Sequence, residues 1–332
     1  MITTQTWKIG DCIKLLPEIE EKSIDLIIAD PPYNINKAEW DNIPDYLNWS
    51  MEWITGCQRV LKDNGSMYIF HSEIPTIMRL MNRIEDETNL TFKQFITWNK
   101  RFECAKNKGF LDGYIEVDGL RNYQQMAEYI LYYTFQDQSG LSRIMGSCVY
   151  PVRAYIRDEI IRAKGKISFK EINTVLGTAT NGGGVASACL SLNKTVPAMI
   201  TEEHYLKLRS WLNPSCEHEY LRRDYEDLRR DYEDLRYTFN NQKTHHVVWD
   251  YDFAISKGHV TPKPIELLKN IILHSSNEGD MILDPFCGSG ATLRACRETN
   301  RNCVGIEKNE MNVKLIDKTA LTHTPPLQKY FD

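Results

Sequence analysis

A buried-strand pattern meets a rigid turn in one stretch, Ile27-Ile28-Ala29-Asp30-Pro31-Pro32-Tyr33. The apolar run begins at Ile24, has one acidic break at Asp25, and is typical of a parallel strand that is buried on both faces. Proline cannot donate a backbone hydrogen bond, and the residue before it avoids the helical region, so the strand must end here. Open α/β sheets bind their ligands at the carboxyl ends of strands, and this is where Asp30 and Tyr33 are predicted to lie.

The residue types in this turn are suited to binding a planar amino group. The Asp30 carboxylate and the Pro31 carbonyl accept hydrogen bonds from such a group, and the Tyr33 ring offers a face for stacking on the heterocycle that carries it. A lone Asp-Pro pair is more often a surface turn with a helix cap. The full tetrapeptide behind a buried strand favours a catalytic site made of Asp30, Pro31, Pro32 and Tyr33.

A second strand-to-helix turn lies near the C-terminus. A strand predicted at 281–283 ends in Asp284-Pro285-Phe286-Cys287-Gly288-Ser289-Gly290, and a helix follows over 291–299. Glycines let the backbone approach a ligand, and the helix N-terminus favours an anionic group. Glu307 ends the next predicted strand, where an acid binds ribose hydroxyls in nucleotide-binding folds.

The details of this second turn favour one kind of cofactor. Leu293 stands where a dinucleotide fingerprint has its third glycine, and no Gly-Lys-Ser/Thr follows as in a P-loop. An acid for an amine and an acid for a ribose fit a nucleoside with an amino-acid tail, which is S-adenosylmethionine. The alternative is a plain turn that binds nothing.

Strand and helix patterns alternate through residues 6–135 and return from Val247, which predicts a doubly wound α/β sheet. The middle of the chain differs, because basic residues cluster there around three predicted helices. Those helices span 152–163, 168–176 and 186–192. This arrangement fits a helix-turn-helix-like DNA reader, and it fits equally a small helical subdomain with a solvated basic face.

Residues 221–237 contain a perfect repeat, Leu-Arg-Arg-Asp-Tyr-Glu-Asp twice and then Leu-Arg-Tyr. Its apolar residues follow the a/d spacing of a coiled coil: Leu221, Tyr225, Leu228, Tyr232 and Leu235. An isolated helix of this length is marginal in water, so it must pack on the rest of the chain or on a second subunit. The open interpretations are a structural spacer helix and a dimerisation or DNA-spanning arm.

Composition limits the class of protein. The chain of 332 residues is 42% hydrophobic and 26% charged, which predicts a large folded α/β domain and a smaller one. We find no long apolar run and no signal sequence, and so expect a soluble, cytoplasmic protein without a membrane partner. Nine cysteines without a Cys-x-x-Cys pair indicate reduced thiols and no metal site. The net charge of −5 means that any DNA-facing surface must be a local patch.

The two motifs together resemble those of the amino-group DNA methyltransferases in their β-class, permuted order, in which the catalytic block comes first. Residues 30–33 match the catalytic motif of that family, and residues 284–290 match its cofactor motif. His259 with Lys263-Pro264 resembles the segment that closes over the methionine end of the cofactor. Gly10-Asp11-Cys12 resembles the segment that lines the adenine.

The resemblance implies a Rossmann-like S-adenosylmethionine-dependent sheet of seven, mostly parallel strands with an inserted, mainly helical target-recognition region. The catalytic half is then expected at 1–138, the target-recognition region with the heptad helix 221–235 at 139–244, and the cofactor half at 245–332. The expected cofactor-binding residues are Asp11, Cys12, His259, Lys263, Pro264, Asp284, Pro285, Phe286, Gly288, Ser289, Gly290, Thr292 and Glu307. The expected DNA contacts are Trp40, Lys100, Arg101, Lys164, Lys166 and Lys170.

The activity implied by the resemblance is that of a bacterial or phage-like restriction-modification enzyme. It transfers a methyl group from S-adenosylmethionine to N6 of an adenine flipped out of double-stranded DNA, leaves S-adenosylhomocysteine, uses no metal, and frequently acts as a homodimer. Methylation of cytosine N4 is the nearest alternative, since it uses the same amine chemistry. Protein-glutamine and RNA methyltransferases more typically carry Asn at the position of Asp30, and both intact motifs argue against a catalytically idle DNA-binding protein.

Overall fold

The chain forms two compact units, the first combining Met1–Thr134 with Thr238–Asp332 and the second comprising Phe135–Tyr237. The structure is a computed structural model. It describes residues 3–37, 39–106, 123, 125–135, 151–179, 184–192, 198–215, 219–234, 237–240, 246–254 and 262–320. His259 and Leu235 lie outside these residues.

One sheet of eight strands, in the order β1-β8-β7-β2-β3-β5-β4-β6, forms the centre of the first unit. The strands are β1 (Gln5–Ile9), β2 (Ile24–Ala29), β3 (Leu61–His71), β4 (Thr91–Asn99), β5 (Ala127–Thr134), β6 (Val248–Asp250), β7 (Met281–Asp284) and β8 (Asn302–Glu307). β5 runs antiparallel to β3 and β4, and the other pairings are parallel. The sheet has one strand more than the predicted seven, because the short β6 adds to the outer edge of β4.

Helices connect these strands. Those of the first unit are α1 (Cys12–Leu15), α2 (Tyr46–Val60), α3 (Ile74–Glu87), α9 (Ile265–Ser275), α10 (Ala291–Glu298) and α11 (Glu310–Ala320). Short 3-10 turns follow α1 at Leu16–Glu18 and precede α2 at Glu39–Asp41. Pro17 lies in the first of these turns, where α-helical hydrogen bonding has ended, because proline has no backbone N–H to donate.

β2 lies in the middle of the sheet, and its apolar sequence explains why. Every residue of the strand except Asp25 is buried, which is the pattern of a parallel strand covered on both faces. The carboxylate of Asp25 accepts a hydrogen bond from the Met281 backbone N–H at 2.9 Å and pairs with Lys62 at 2.6 Å. The acidic break in the apolar run thus joins β2 to its neighbours β7 and β3.

The parallel strands all end at one edge of the sheet. From β2 the chain moves to β3 on one side, whereas β7 lies on the other side and leads to β8. The boundary between β2 and β7 is therefore the switch point at which open α/β sheets form their ligand crevice.

The second unit contains the helices α4 (Pro151–Lys164), α5 (Phe169–Leu176), α6 (Val185–Leu190), α7 (Glu202–Leu212) and α8 (Tyr225–Asp234). The three helices predicted in the middle of the chain correspond to α4, α5 and α6. Ser168 caps α5 by accepting the Glu171 N–H, and Gly177 ends this helix in the left-handed conformation. None of the helices in the described part of the chain is long and apolar enough to cross a membrane.

The heptad repeat packs on its own unit. Leu221, Leu228 and Tyr232 are buried in the same apolar core as residues of α4 to α7, and Tyr225 packs against that core. The Tyr225 hydroxyl also donates a hydrogen bond to the Ile200 carbonyl at 2.8 Å. The described apolar side chains of this seam are therefore covered by the same chain, and a role of the seam in a dimer stays a prediction.

Candidate active site

Polar side chains from five strands meet at the edge where the parallel strands end. They lie just after β2, at the last residues of β3, β7 and β8, and near the first residue of β5, which runs in the opposite direction. In chain order they are Asp30, His71, Glu128, Asp284 and Glu307. The sheet thus brings together residues that are up to 277 positions apart in the sequence, from Asp30 to Glu307.

Asp30 is held by two side chains, one on each carboxylate oxygen. The Tyr33 hydroxyl donates to Oδ1 at 2.8 Å, and the Lys263 ammonium lies 2.7 Å from Oδ2. Lys263 is buried, and burial acts to lower its pKa, but the charges of Asp30 and Glu128 offset this and raise the pKa. An ionised carboxylate has about four lone-pair positions, so Asp30 keeps capacity to accept a further donor.

Glu128 is the second acid of this cluster. Its Oε2 lies 3.4 Å from Lys263 Nζ and 3.1 Å from the Tyr33 hydroxyl, and its Oε1 pairs with Lys100. Burial acts to raise the pKa of Glu128, but the charges of Lys263 and Lys100 outweigh it and lower the pKa to about 2. Two carboxylates and two ammonium groups therefore form a buried network that is electrically balanced.

A histidine and a tyrosine fix the turn that follows Asp30. Burial lowers the pKa of His71 to about 4, so its ring is neutral at pH 7. Nδ1 accepts the backbone N–H groups of Ser72 and Glu73, which leaves the proton on Nε2, 3.1 Å from the Tyr46 hydroxyl. That hydroxyl donates to the Pro32 carbonyl at 2.7 Å. The chain of hydrogen bonds holds the carbonyl in one orientation.

Asp284 lies in a different environment at the end of the neighbouring strand. It accepts hydrogen bonds from the Phe286 N–H at 3.0 Å and from the Thr292 hydroxyl. Burial raises the pKa of Asp284 to about 7, with further increases from the charges of Asp30 and Glu307. Among the described residues, no lysine, arginine or histidine forms an ion pair with it.

A pocket opens between the two aspartates. Asp30, Lys263, Asp284 and Phe286 line it, together with the turn over 287–289. Gly288 and Gly290 have φ angles of +51° and +85°, which other residues rarely adopt, so the sharp turn before α10 requires glycine at both positions.

The chemistry of this cavity fits S-adenosylmethionine. A buried carboxylate with a raised pKa is the group that an α-ammonium would satisfy, and Asp284 is such a group, without an ion-paired cation among the residues that the structure describes. The glycine turn lets a ligand approach the backbone closely. The described residues include no cluster of three or more His, Cys, Asp or Glu side chains that could hold a metal ion.

Comparison with known proteins agrees with this site. Residues 24–318 match a family model described as DNA methylase, whose label covers both N6 and N4 methylation. The chain belongs to this DNA methylase family. It is 27% identical to the type II methyltransferase M.HpaI of Haemophilus parainfluenzae, over 92% of this chain and 71% of that protein. It is also 27% identical to the DNA adenine methyltransferase YhdJ of Escherichia coli (strain K12), over 92% of this chain and 79% of that protein.

A solved structure of a DNA methyltransferase has the same fold. The PvuII DNA methyltransferase, described as cytosine-N4-specific, matches with a TM-score of 0.54 and 13% identity, covering 99% of this chain and 91% of the other. This likeness confirms the α/β methyltransferase fold expected from the sequence.

Several residues expected to bind the cofactor lie around the cavity of this DNA methylase. Those that line it are Lys263, Asp284, Phe286, Gly288, Ser289 and Thr292. Asp11 caps α1 and pairs with Lys308 at 2.9 Å, and Cys12 is buried beside it. Glu307 accepts the Asn309 N–H at 2.6 Å through Oε1. The cofactor roles of all these residues remain predictions.

Two side chains lie where the sequence interpretation did not expect them. The Tyr33 ring stacks on His71 with centroids 4.9 Å apart and is only 7% exposed, so in this structure it is not open for stacking on a base. Lys100 points towards Glu128 rather than towards a phosphate. In both cases a buried partner acid accounts for the orientation.

The other expected DNA contacts are more exposed. Trp40 is 46% exposed in the turn before α2, and Arg101 is exposed after β4. In the second unit, Lys166 and Lys170 are exposed, and the Lys164 ammonium lies over the Trp211 ring, 4.6 Å from its centroid. Their contact with DNA remains a prediction.

Three residues of the site were missed in the sequence: Tyr46, His71 and Glu128. A usable signal existed for two of them. His71 is the polar residue that ends β3 after six consecutive buried residues, and Glu128 is the acid near the start of an apolar, aromatic strand. Only the antiparallel direction of β5, however, brings the beginning of that strand to the active edge.

Proposed function

We propose that the chain transfers a methyl group from S-adenosylmethionine to the N6 amine of adenine in double-stranded DNA. The observation that carries this proposal is the pair of Asp-Pro strand ends, since Asp30 and Asp284 line one cavity at the switch point of the sheet. One carboxylate is available to an amine of the substrate and the other to the ammonium of the cofactor. The choice of adenine is supported by the Asp at position 30 and by the name of the relative YhdJ.

The exocyclic amine of adenine is a weak nucleophile, because its lone pair is delocalised into the ring. Hydrogen bonds from the amine to Asp30 and to the Pro31 carbonyl favour a pyramidal nitrogen whose lone pair is free to attack. When bound, S-adenosylmethionine supplies an electrophilic methyl group on a sulfonium. Orientation and electrostatic stabilisation by Asp30 then account for much of the rate.

The target amine is inaccessible inside a duplex, so the adenine must leave the base stack. We assign the catalytic half to residues 1–138, the cofactor half to 245–332 and target recognition to 139–244. Exposed basic side chains of α4 and α5 support the last assignment, since phosphate contacts need local positive charge on a chain of net charge −5. A homodimer would use a surface other than the heptad seam. Since the enzyme acts on cellular DNA, we place it in the cytoplasm.

The proposal is tested by incubating the purified chain with S-adenosylmethionine labelled in its methyl group and unmethylated DNA, followed by digestion to nucleosides. We expect the label in N6-methyl-2′-deoxyadenosine. Label in N4-methyl-2′-deoxycytidine would replace adenine by cytosine as the substrate, and no label in DNA of varied sequence would contradict the proposal. Sequencing of the methylated DNA identifies the recognition site.

A further inference from the structure

Glu128 has no place in the two motifs, yet it contacts both residues that hold Asp30. Its carboxylate lies near Lys263, Lys100 and the Tyr33 hydroxyl. Lys263 and Tyr33 are the same two residues that hold Asp30. Asp30, Lys263, Glu128 and Tyr33 thus form a closed ring of contacts.

We propose that Glu128 is a positioning residue for methyl transfer, which acts through Lys263 and Tyr33 to hold the Asp30 carboxylate in its reactive orientation. This inference rests on the proposed function, because it concerns the orientation of the group that accepts the substrate amine.

The geometry supports this role in a specific way. Tyr33 has one hydroxyl proton, and the hydroxyl lies 2.8 Å from Asp30 and 3.1 Å from Glu128, so the proton is offered to either acid in turn. Lys263 likewise lies between Asp30 at 2.7 Å and Glu128 at 3.4 Å. Both donors are closer to Asp30, and Glu128 fixes the far side of each donor. Without that second anchor, each donor would be free to rotate together with Asp30.

Charge balance gives a second reason. Lys263 and Glu128 are almost fully buried, with side-chain exposures of 7% each. A buried ammonium shared by two carboxylates is stable as a cation, whereas an ammonium with one partner is less so. Glu128 therefore keeps Lys263 charged beside Asp30. Lys100 balances the remaining charge of Glu128 and is itself 21% exposed.

Replacement of Glu128 by Gln keeps the shape of the side chain and removes its charge. We expect the single-turnover rate of methyl transfer at saturating S-adenosylmethionine to fall at least about tenfold, as for loss of one charge-assisted contact. The Kd for S-adenosylmethionine should change by less than about threefold, because Glu128 does not line the cofactor cavity. Glu52→Gln, which makes the same change at an exposed position of α2, is the matched control.

The pH profile separates positioning from a merely structural role. Burial acts to lower the pKa of Lys263, and the acids raise it, so removing one acid must lower it. In Glu128→Gln, the alkaline fall of the rate should begin at lower pH than in the wild type. The ionisable groups that face this cluster are Asp30, Tyr33, Lys37, His71, Lys100, Lys263 and Asp284. His71, which is neutral above about pH 4, does not produce such a shift.

A double-mutant cycle tests whether part of the effect passes through Lys263. Since Glu128 also contacts Tyr33, Glu128→Gln should cost less in the Lys263→Met background than in the wild type, but more than nothing. Losses that multiply would show independent roles and contradict the proposal. Glu128→Asp restores the carboxylate, so it should recover part of the lost rate.

Failure of this inference differs from failure of the proposed function. If the wild type methylates DNA but Glu128→Gln keeps the wild-type rate and pH profile, the positioning role is wrong and the function stands. If the wild type methylates no DNA, the function itself is wrong. If thermal unfolding shows that neither Glu128→Gln nor Glu128→Asp folds, Glu128 is a structural residue and the positioning role is rejected.

Discussion

Two Asp-Pro pairs end neighbouring strands of the sheet, but the structure treats their carboxylates differently. Asp30 is paired with the buried Lys263 and with the Tyr33 hydroxyl, so its own chain supplies the counter-charge. Asp284 receives hydrogen bonds from Phe286 and Thr292, and burial raises its pKa to about 7. Under the proposed function, this difference prepares Asp30 in advance for a neutral amine and leaves Asp284 to be completed by a cationic ligand.

The largest effect is expected from Asp30→Ala. Removing the acceptor of the substrate amine should slow methyl transfer at least about 100-fold, the usual cost of losing one preorganised electrostatic contact. The affinity for S-adenosylmethionine, measured by calorimetry, should remain unchanged. Asp86→Ala, at an exposed position of α3, controls for the loss of an acid. Methylation by Asp30→Ala at the wild-type rate would show that the mechanism is wrong.

A smaller and different effect is expected from Asp284→Ala. This change removes the anion that pairs with the ammonium of the cofactor, and a hydrogen bond to a charged group contributes about 1.5–3 kcal/mol. The Kd for S-adenosylmethionine should therefore rise about 10- to 100-fold. Titration curves that match those of the wild type would rule out the assigned pocket.

The pH dependence of cofactor binding should follow the same carboxylate. Only ionised Asp284 attracts an ammonium, and its pKa in the free protein is about 7. The Kd should therefore rise roughly tenfold as pH falls from about 7.5 to 6. Higher pH is avoided because an α-amino group titrates near pH 8. Asp284→Asn should bind weakly and show a flat profile, and a flat profile in the wild type would refute the assignment.

The smallest effect on the rate is expected from Tyr46→Phe, a change near Asp30. This change removes the hydroxyl that links His71 to the Pro32 carbonyl and leaves the ring in place. A neutral hydrogen bond contributes about 0.5–1.5 kcal/mol, so the rate should fall about 2- to 10-fold. Cofactor affinity should stay constant. A change in affinity with an unchanged rate would show that Tyr46 serves the cofactor pocket instead.

Local sequence patterns predicted the site residues that directly follow or end a strand. Asp30 and Asp284 follow apolar runs and precede proline, and these rules act over a few residues. The family match confirmed the fold that these two turns implied.

The rest of the site depends on contacts between distant residues, which short patterns do not encode. Glu128 reaches Lys263 and Tyr33, the residues that hold Asp30, only because β5 runs antiparallel between β3 and β4. The sequence predicts contacts with nucleic acid for Tyr33 and Lys100. It does not predict their contacts with the buried Glu128, which is distant in sequence. The heptad pattern alone does not tell whether its apolar side chains pack on the same chain or on a second subunit. In the structure, the described ones pack into the core of the second unit.

The contrast between the two aspartates is tested most directly by a matched pair of variants, Asp30→Asn and Asp284→Asn. The measurement is the single-turnover rate of methyl transfer to DNA as a function of S-adenosylmethionine concentration. We predict that high cofactor concentration restores most of the wild-type rate in Asp284→Asn but leaves Asp30→Asn slow at every concentration. Rescue of Asp30→Asn by excess cofactor, or equal maximal rates for the two variants, would contradict the division of roles.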